Sequence, residues 1–397
     1  MIRTGADRLC DDAPGLLGGR RWALVCHAAS VDGGLHYVFD RLCADPRTRP
    51  QMLLAPEHGL FGERLYMEPV PDAMDPFLGL PVTSLYGDQA GSLAPDPDRL
   101  RGLDLVVVDL QDVGARYYTY LATLAMTMDS CAAAGVPVWV ADRPNPIGGV
   151  QVEGNVPVSS LKSFVSWLPL ANRHGMTAGE VARLHAATAC PGVDLTVLPC
   201  EGLRREHLWP DTGLPFVPPS PNIPTWETAL VYPGMCLLEG TNLSEGRGTT
   251  TPFTLFGAPW IDDPRRLVAV LDGWRLPGVA FRPTFFTPNL DKWTGKRCGG
   301  AQLAVTDVHA FRPLRTGLAV LAACVRLHPE DFALRTQAYE FVHDRLALDL
   351  LLGDVALRRG LLDGASPIDL ADSMGPATAD FLGAREPHLL YPGPATV

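Results

Sequence analysis

The segment Leu103–Gly114 reads LDLVVVDLQDVG. Its centre, Leu105–Val108, is apolar at every position and rich in β-branched residues. A run without alternation fits a strand covered on both faces rather than one half exposed to water. Similar runs flank it on both sides: Arg21–Ala29 (RWALVCHAA), Gln51–His58 (QMLLAPEH), Pro81–Gly87 (PVTSLYG) and Val136–Pro144 (VPVWVADRP). Between them the pattern predicts helices near Tyr37–Ala44 and Tyr117–Ala134. The second (YYTYLATLAMTMDSCAAA) is apolar nearly all round and should pack deep in the core. Strands alternating with helices predict βαβ units and an α/β fold built on a mainly parallel sheet.

Beyond Gly148 the texture changes. Thr177–Ala189 predicts an amphipathic helix whose Thr177 and Glu180 form a capping box. Leu214–Thr225 (LPFVPPSPNIPT) carries too many prolines for a helix or central strand and is expected to line a cleft. Strand-like Gly278–Phe286 and Ala301–Thr306, a helix near Leu314–Leu327 and further helical segments toward Asp380 suggest a second, smaller α/β unit. The expected division is residues 1–262 for the catalytic domain and 263–397 for the auxiliary one.

A chain of 397 residues is long for one core and suits two domains. The net charge of -11 argues against nucleic acid or an anionic membrane as partner, though local arginines can still hold a small anion. The first residues carry acids early and lack an apolar core before a cleavage site, so a cytoplasmic protein without a membrane span is expected. Nine scattered cysteines without a CxxC pair suggest reduced thiols and no zinc ribbon.

Several predicted strands end in polar residues: Glu57-His58, then Asp109, Gln111 and Asp112, then Asp142, Arg143 and Asn145. In an open α/β sheet the ligand crevice lies beyond the carboxyl ends of the strands, so these groups should converge. Acids and amides at strand ends are equally common as turn formers and caps. A second cluster, Leu238–Thr250, holds Glu239, Thr241, Asn242, Glu245 and Arg247 among glycines that allow close backbone approach. Donors and acceptors at this density suit a polyhydroxylated ligand. No GxGxxG after the first strand, GxxxxGK[ST], GxSxG or HExxH is present, which disfavours nucleotide chemistry, a serine esterase and a zincin. His27, His58, Asp109 and Asp112 have no recognised metal spacing, and neither metal nor cofactor is expected. Glycoside cleavage needs a proton for the leaving oxygen and a second group to steady an oxocarbenium-like transition state. Glu57 sits between Leu53-Leu54-Ala55-Pro56 and Gly59-Leu60-Phe61, the most apolar surroundings of any acid in the chain, and is the best general-acid candidate.

Seven segments, in this order, resemble the bacterial exo-β-N-acetylmuramidases (NamZ-like, glycoside hydrolase family 171, formerly a domain of unknown function). They are PEHGLFGE (Pro56–Glu63), GLPVTSLYG (Gly79–Gly87), DLQDVGARYYTY (Asp109–Tyr120), DRPNPIGG (Asp142–Gly149), RHGMTAGE (Arg173–Glu180), VPPSPNIPTWETALVYPG (Val217–Gly234) and LLEGTNLSEGRGTTTPFTLFGAPWI (Leu237–Ile261). The resemblance implies a Rossmann-like domain with a smaller C-terminal auxiliary domain, and release of N-acetylmuramic acid from the non-reducing end of peptidoglycan fragments. It points to the glutamate of the PEHG motif, Glu57, as the catalytic acid. It permits a homodimer. One departure stands out: relatives often read something like LVTNPTGV after the first strand, where this chain reads LVCHAASV (Leu24–Val31), so His27 and Ala29 could retune sugar preference.

On this reading His58 shapes the hydrogen bonding of Glu57, and Asp109 or Glu245 steadies the developing charge. Arg143 or Arg247 pairs with the lactyl carboxylate of muramic acid, because a guanidinium presents a planar fork. Gln111, Asp112, Arg116, Asp142, Asn145, His174, Asn222, Glu239, Thr241 and Asn242 are candidates for hydroxyl and acetamido contacts. A non-catalytic muropeptide-binding protein and a hydrolase of another N-acetylated amino sugar are the alternatives.

Overall fold

The computed structural model describes residues 2–394. Its first sheet has seven strands: β1 (Trp22–Val25), β2 (Met52–Ala55), β3 (Ala73–Met74), β4 (Pro81–Ser84), β5 (Leu105–Val108), β6 (Val138–Ala141) and β7 (Leu195–Leu198). They lie in the order β3-β4-β2-β1-β5-β6-β7. All pairings are parallel except that of β3 with β4. β1 and β5 are central and buried at every residue, which is why they read as unbroken apolar runs. The chain winds outward from β1 through β2 to β4, then restarts at β5 and winds the other way through β6 to β7. The strand order therefore reverses between β1 and β5, the topology that opens a crevice at the strands' carboxyl ends.

The helix Tyr120–Ala134 is buried on most of its circumference and ends at Gly135 in the left-handed conformation. The helix Ala178–Thr188 begins with the expected Thr177–Glu180 capping box. Two strands of this sheet escape the sequence pattern: β3 is a two-residue edge, and β7 is partly exposed along its length.

The second sheet is antiparallel, β8 (Leu255–Ala258), β10 (Cys298–Val305) and β9 (Val279–Phe286) in the order β8-β10-β9. The helices Trp226–Met235 and Pro313–Leu327 meet through Gly234 and Gly317, where a Cβ on either glycine would collide with main chain of the other helix. That glycine-to-glycine contact, rather than side-chain interdigitation, sets how closely these helices approach. No helix among the described residues is long and apolar enough to cross a membrane.

Candidate active site

β2 delivers the chain to Pro56 and then to a tight turn in which His58 and Gly59 both adopt positive φ, 74° and 81°. The turn directs Glu57 into a cavity of about 410 Å³. Glu57 accepts a hydrogen bond at Oε1 from the Met67 N–H (3.2 Å) and at Oε2 from the Thr119 hydroxyl (2.8 Å). Its partners come from the loop after the turn and from the segment after β5. His58 also lines the cavity, but its Nδ1 lies 2.9 Å from the Arg64 carbonyl. A carbonyl only accepts, so Nδ1 carries the proton. His58 thus ties its own turn to Arg64, and among the described residues no hydrogen bond joins it to Glu57.

The proline-rich stretch contributes Ser220, Asn222 and Ile223 to the cavity wall. Asn222 Nδ2 is buried without a hydrogen-bond partner. A buried donor left open costs about 1–3 kcal/mol, a cost relieved when a polar ligand arrives. The Leu238–Thr250 cluster contributes Glu239 and Arg247. Arg247 Nη2 donates to Glu239 Oε1 (2.7 Å), its Nε lies 3.1 Å from Glu245 Oε1, and its guanidinium stacks on Tyr66 at 3.8 Å. Glu245 is itself 2.8 Å from Lys292 Nζ. Glu239, Arg247, Glu245 and Lys292 thus alternate in sign. Burial alone would raise the Glu245 carboxyl, but Lys292 and Arg247 hold it below the usual range. Burial would lower the Arg247 guanidinium, and the two glutamates hold it above its ordinary value. Glu245 lies behind Arg247 and does not line the cavity, so it orients the guanidinium rather than facing a reacting sugar.

The last wall comes from Tyr339 and Glu340, which sequence reasoning missed. The Tyr339 hydroxyl donates to Glu239 Oε2 (2.8 Å). Glu340 and Phe341 have φ of 46° and 65°, and Tyr339 and Val342 exchange both main-chain hydrogen bonds across them. This is a two-residue reversal that favours Asn-Gly. Left-handed backbone costs an ordinary side chain about 1–2 kcal/mol per residue. Such strain gathers where a side chain must be held in one place. The Tyr86 hydroxyl donates to Glu340 Oε2 (2.8 Å). Burial, then the neighbouring charge of Glu57, pushes the Glu340 carboxyl well above its ordinary value.

A wider recess of about 1180 Å³ adjoins the cavity and is lined by Thr241, Asn242, Asp291, Trp293 and Arg335 among others. The Tyr66 hydroxyl bridges the two spaces by donating to Asp291 (2.8 Å), and Arg335 lies over the Tyr339 ring at 5.3 Å. Thr241 and Asn242 spend their side chains on the fold: the first caps Leu238 and Leu243, the second clamps Asp331 and Ala333.

The strand-end residues of β5 and β6 are not brought into the cavity. Asp109 is fully buried in a bidentate pair with Arg143 (2.5 and 2.9 Å), whose Nη2 also donates to the Val31 carbonyl. Gln111 and Arg143 line a separate pocket of about 310 Å³ with Ala29, Asp32 and Trp209. Asp112 accepts from Gly114 N–H and contacts His174 Nε2 at 3.2 Å. Arg116 donates to the carbonyls of Asn155, Leu170 and Leu351. Asp142 receives Thr177, Tyr391 and Gly179, and burial lifts its carboxyl to about 6. Asn145 bridges Met176 and Ile147. These groups tie successive strand-end loops to one another, and Asp109 is corrected from second catalytic carboxylate to the partner of Arg143. His27 is likewise removed from the substrate: it is fully buried and accepts from the Gln111 N–H at Nε2 (3.0 Å).

One group among the described residues has metal-ligand spacing: Asp129, His185 and Cys190, within 4.8 Å of one another and outside the cavity. The Asp129–His185 contact of 2.8 Å already accounts for both side chains.

Several acid groups facing one cavity, with a guanidinium and hydroxyls beside them, are the groups a glycosidase uses. The comparisons agree and go further. Family models described as the N-terminal and C-terminal parts of exo-β-N-acetylmuramidase NamZ match residues 22–227 and 230–391, and the chain belongs to this family. It is 39% identical over 390 residues, 98% of this chain and 91% of the relative, to the peptidoglycan β-N-acetylmuramidase NamZ of Bacillus subtilis (strain 168). Two crystal structures of DUF1343 family proteins from Bacteroides fragilis NCTC 9343 share the fold. One has a TM-score of 0.86 at 29% identity, covering 98% of this chain and 99% of that one. The other has a TM-score of 0.78 at 26% identity, covering 99% and 100%.

Proposed function

We propose that the protein hydrolyses the β-glycosidic bond of a terminal N-acetylmuramic acid at the non-reducing end of peptidoglycan fragments, with Glu57 acting at the scissile bond. The observation that carries this reading is one cavity faced by Glu57, Glu239 and Glu340, with a wider recess beside it. On this reading the cavity receives the terminal sugar, and the recess receives the remainder of the fragment. That division suits removal of one unit at a time from a chain end.

The lactyl carboxylate needs a cation with a free donor. Arg143 is committed to Asp109, and Arg247 is clamped between Glu239 and Glu245. Arg335 has no carboxylate partner among the described residues; its Nη2 reaches the Ala338 carbonyl at 3.3 Å and its Nε is unpaired. We assign the lactyl group to Arg335, at the junction of cavity and recess. The described cysteines are all unpaired, which supports action in a reducing compartment, on fragments inside the cell.

The test is hydrolysis of chromogenic β-glycosides of N-acetylmuramic acid and N-acetylglucosamine by the wild type and Glu57→Gln. The wild type should release chromophore from the muramic acid glycoside, and the variant should fall by about 10²–10⁴-fold. Undiminished Glu57→Gln activity, or equal release from the glucosamine analogue, defeats the proposal.

A further inference from the structure

We infer that Glu340 is the proton donor to the leaving oxygen and that Glu57 is its charged partner, the two forming one catalytic pair across the cavity. This rests on the glycosidase reading above and assigns roles within it. The first observation is how the two carboxyls are bonded. Both oxygens of Glu57 accept hydrogen bonds, from the Met67 N–H and the Thr119 hydroxyl. Both oxygens of Glu57 are therefore engaged by donors of the protein itself. Glu340 accepts only at Oε2, from Tyr86, and its Oε1 has no protein partner among the described residues. A proton on Oε1 is therefore compatible with every contact the side chain makes, and Oε1 is left for the glycosidic oxygen.

The second observation is placement. Glu340 is buried on the cavity wall at the tip of a reversal that only a strained backbone can make. Tyr86, which holds it, is wedged edge-on against Phe341, the other strained residue, with ring centroids 5.4 Å apart. Three groups thus cooperate to fix one carboxyl.

The charges around Glu340 act in one direction. Glu57 and Glu239 face it with negative charge, Arg247 opposes them from behind Glu239, and Tyr86 donates to it. Burial and the Glu57 charge dominate and push the Glu340 carboxyl well above its ordinary value. A buried carboxyl with one oxygen free toward the cavity and a charged acid opposite it is placed to act as the donor.

The step balances as follows. The bond between the anomeric carbon and the glycosidic oxygen breaks, its electron pair goes to that oxygen, and the oxygen takes the proton from Glu340 Oε1. The positive charge on the sugar is steadied by Glu57. Water adds to the anomeric carbon and gives one proton back to the pair, which restores the starting state.

The experiment compares a muramic-acid-terminated disaccharide with the 2,4-dinitrophenyl glycoside of N-acetylmuramic acid, whose leaving group needs no proton. Glu340→Gln keeps the Tyr86 bond and should lose about 10²–10⁴-fold in kcat/KM on the disaccharide but less than about tenfold on the dinitrophenyl glycoside. It should also lose the alkaline limb of the pH profile. Glu57→Gln should lose activity on both substrates. Tyr86→Phe removes a donor that favours the charged form of Glu340, so its alkaline limb should move upward; Tyr86 is a positioning residue. Equal losses on both substrates for Glu340→Gln, or an unmoved alkaline limb in both Glu340→Gln and Tyr86→Phe, overturns the assignment. A wild type inactive on both substrates overturns the glycosidase reading itself.

Discussion

His27 follows β1 in the segment LVCHAASV, and its burial gives the protein a pH dependence of stability. The ring is fully buried, its Nε2 accepts the Gln111 N–H, and it lies edge-on to Tyr120 with centroids 4.8 Å apart. Protonating Nε2 would set a donor against a donor. Burial, reinforced by the charge of Arg143, lowers the imidazole from 6.5 to about 3. Between those values the unfolded chain binds the proton and the folded one does not, so stability rises with pH across that window and is fully present above the unfolded value. Each pH unit well inside that window is worth about 1.4 kcal/mol, and the unfolded imidazole is only half protonated at pH 6.5, so the wild type should lose about 2 kcal/mol through this one group between pH 6.5 and 4.5. His27→Asn should lack that loss while keeping an acceptor near the Gln111 N–H. Urea unfolding of both proteins at the two pH values gives the comparison, because the other titrating groups are common to both. An equal fall in the two proteins would refute the argument. The ratio of muramic acid to glucosamine activity should not move in His27→Asn, since the ring does not line the cavity.

Two further outcomes follow from the packing and the charges. Gly234→Ala places a methyl against the Pro313 carbonyl where two helices touch, and should cost about 3 kcal/mol in thermal unfolding, the upper end of overpacking effects, whereas Gly15→Ala, with open space around it, should stabilise by about 0.5 kcal/mol. Arg335→Gln should weaken kcat/KM for muramic acid glycosides by about 10- to 100-fold, the worth of a charge-assisted hydrogen bond, and leave the glucosamine analogue nearly unchanged, so a uniform loss on both would remove Arg335 from lactyl recognition.

What the sequence made legible, and what it hid, divides along the range of the interactions involved. β1 and β5 are buried along their whole length, so their apolar runs announce them; β7 is half exposed, and its Leu-Thr-Val-Leu carries no such signal. Of the acids singled out at strand ends, Glu57 lines the cavity, and Asp109 and Asp142 do not. All three are acids at the carboxyl ends of buried strands, and only the neighbour decides their role. Asp109 meets Arg143 and Asp142 meets the start of the helix Ala178–Thr188, whereas Glu57 meets two donors and an open cavity. A strand-end position is a local property, and the partner that neutralises it comes from another loop. Glu340 is the extreme case. Nothing in Ala338–Asp344 (AYEFVHD) marks an acid of interest, and a reversal through two residues without a glycine between them runs against the residue preferences by which such turns are read. Its importance comes from Glu57 and Tyr86, which the main sheet supplies from distant parts of the chain. The cavity therefore needs both units: the parallel sheet brings one carboxyl, the C-terminal segment brings the other, and neither half of the sequence on its own contains the pair.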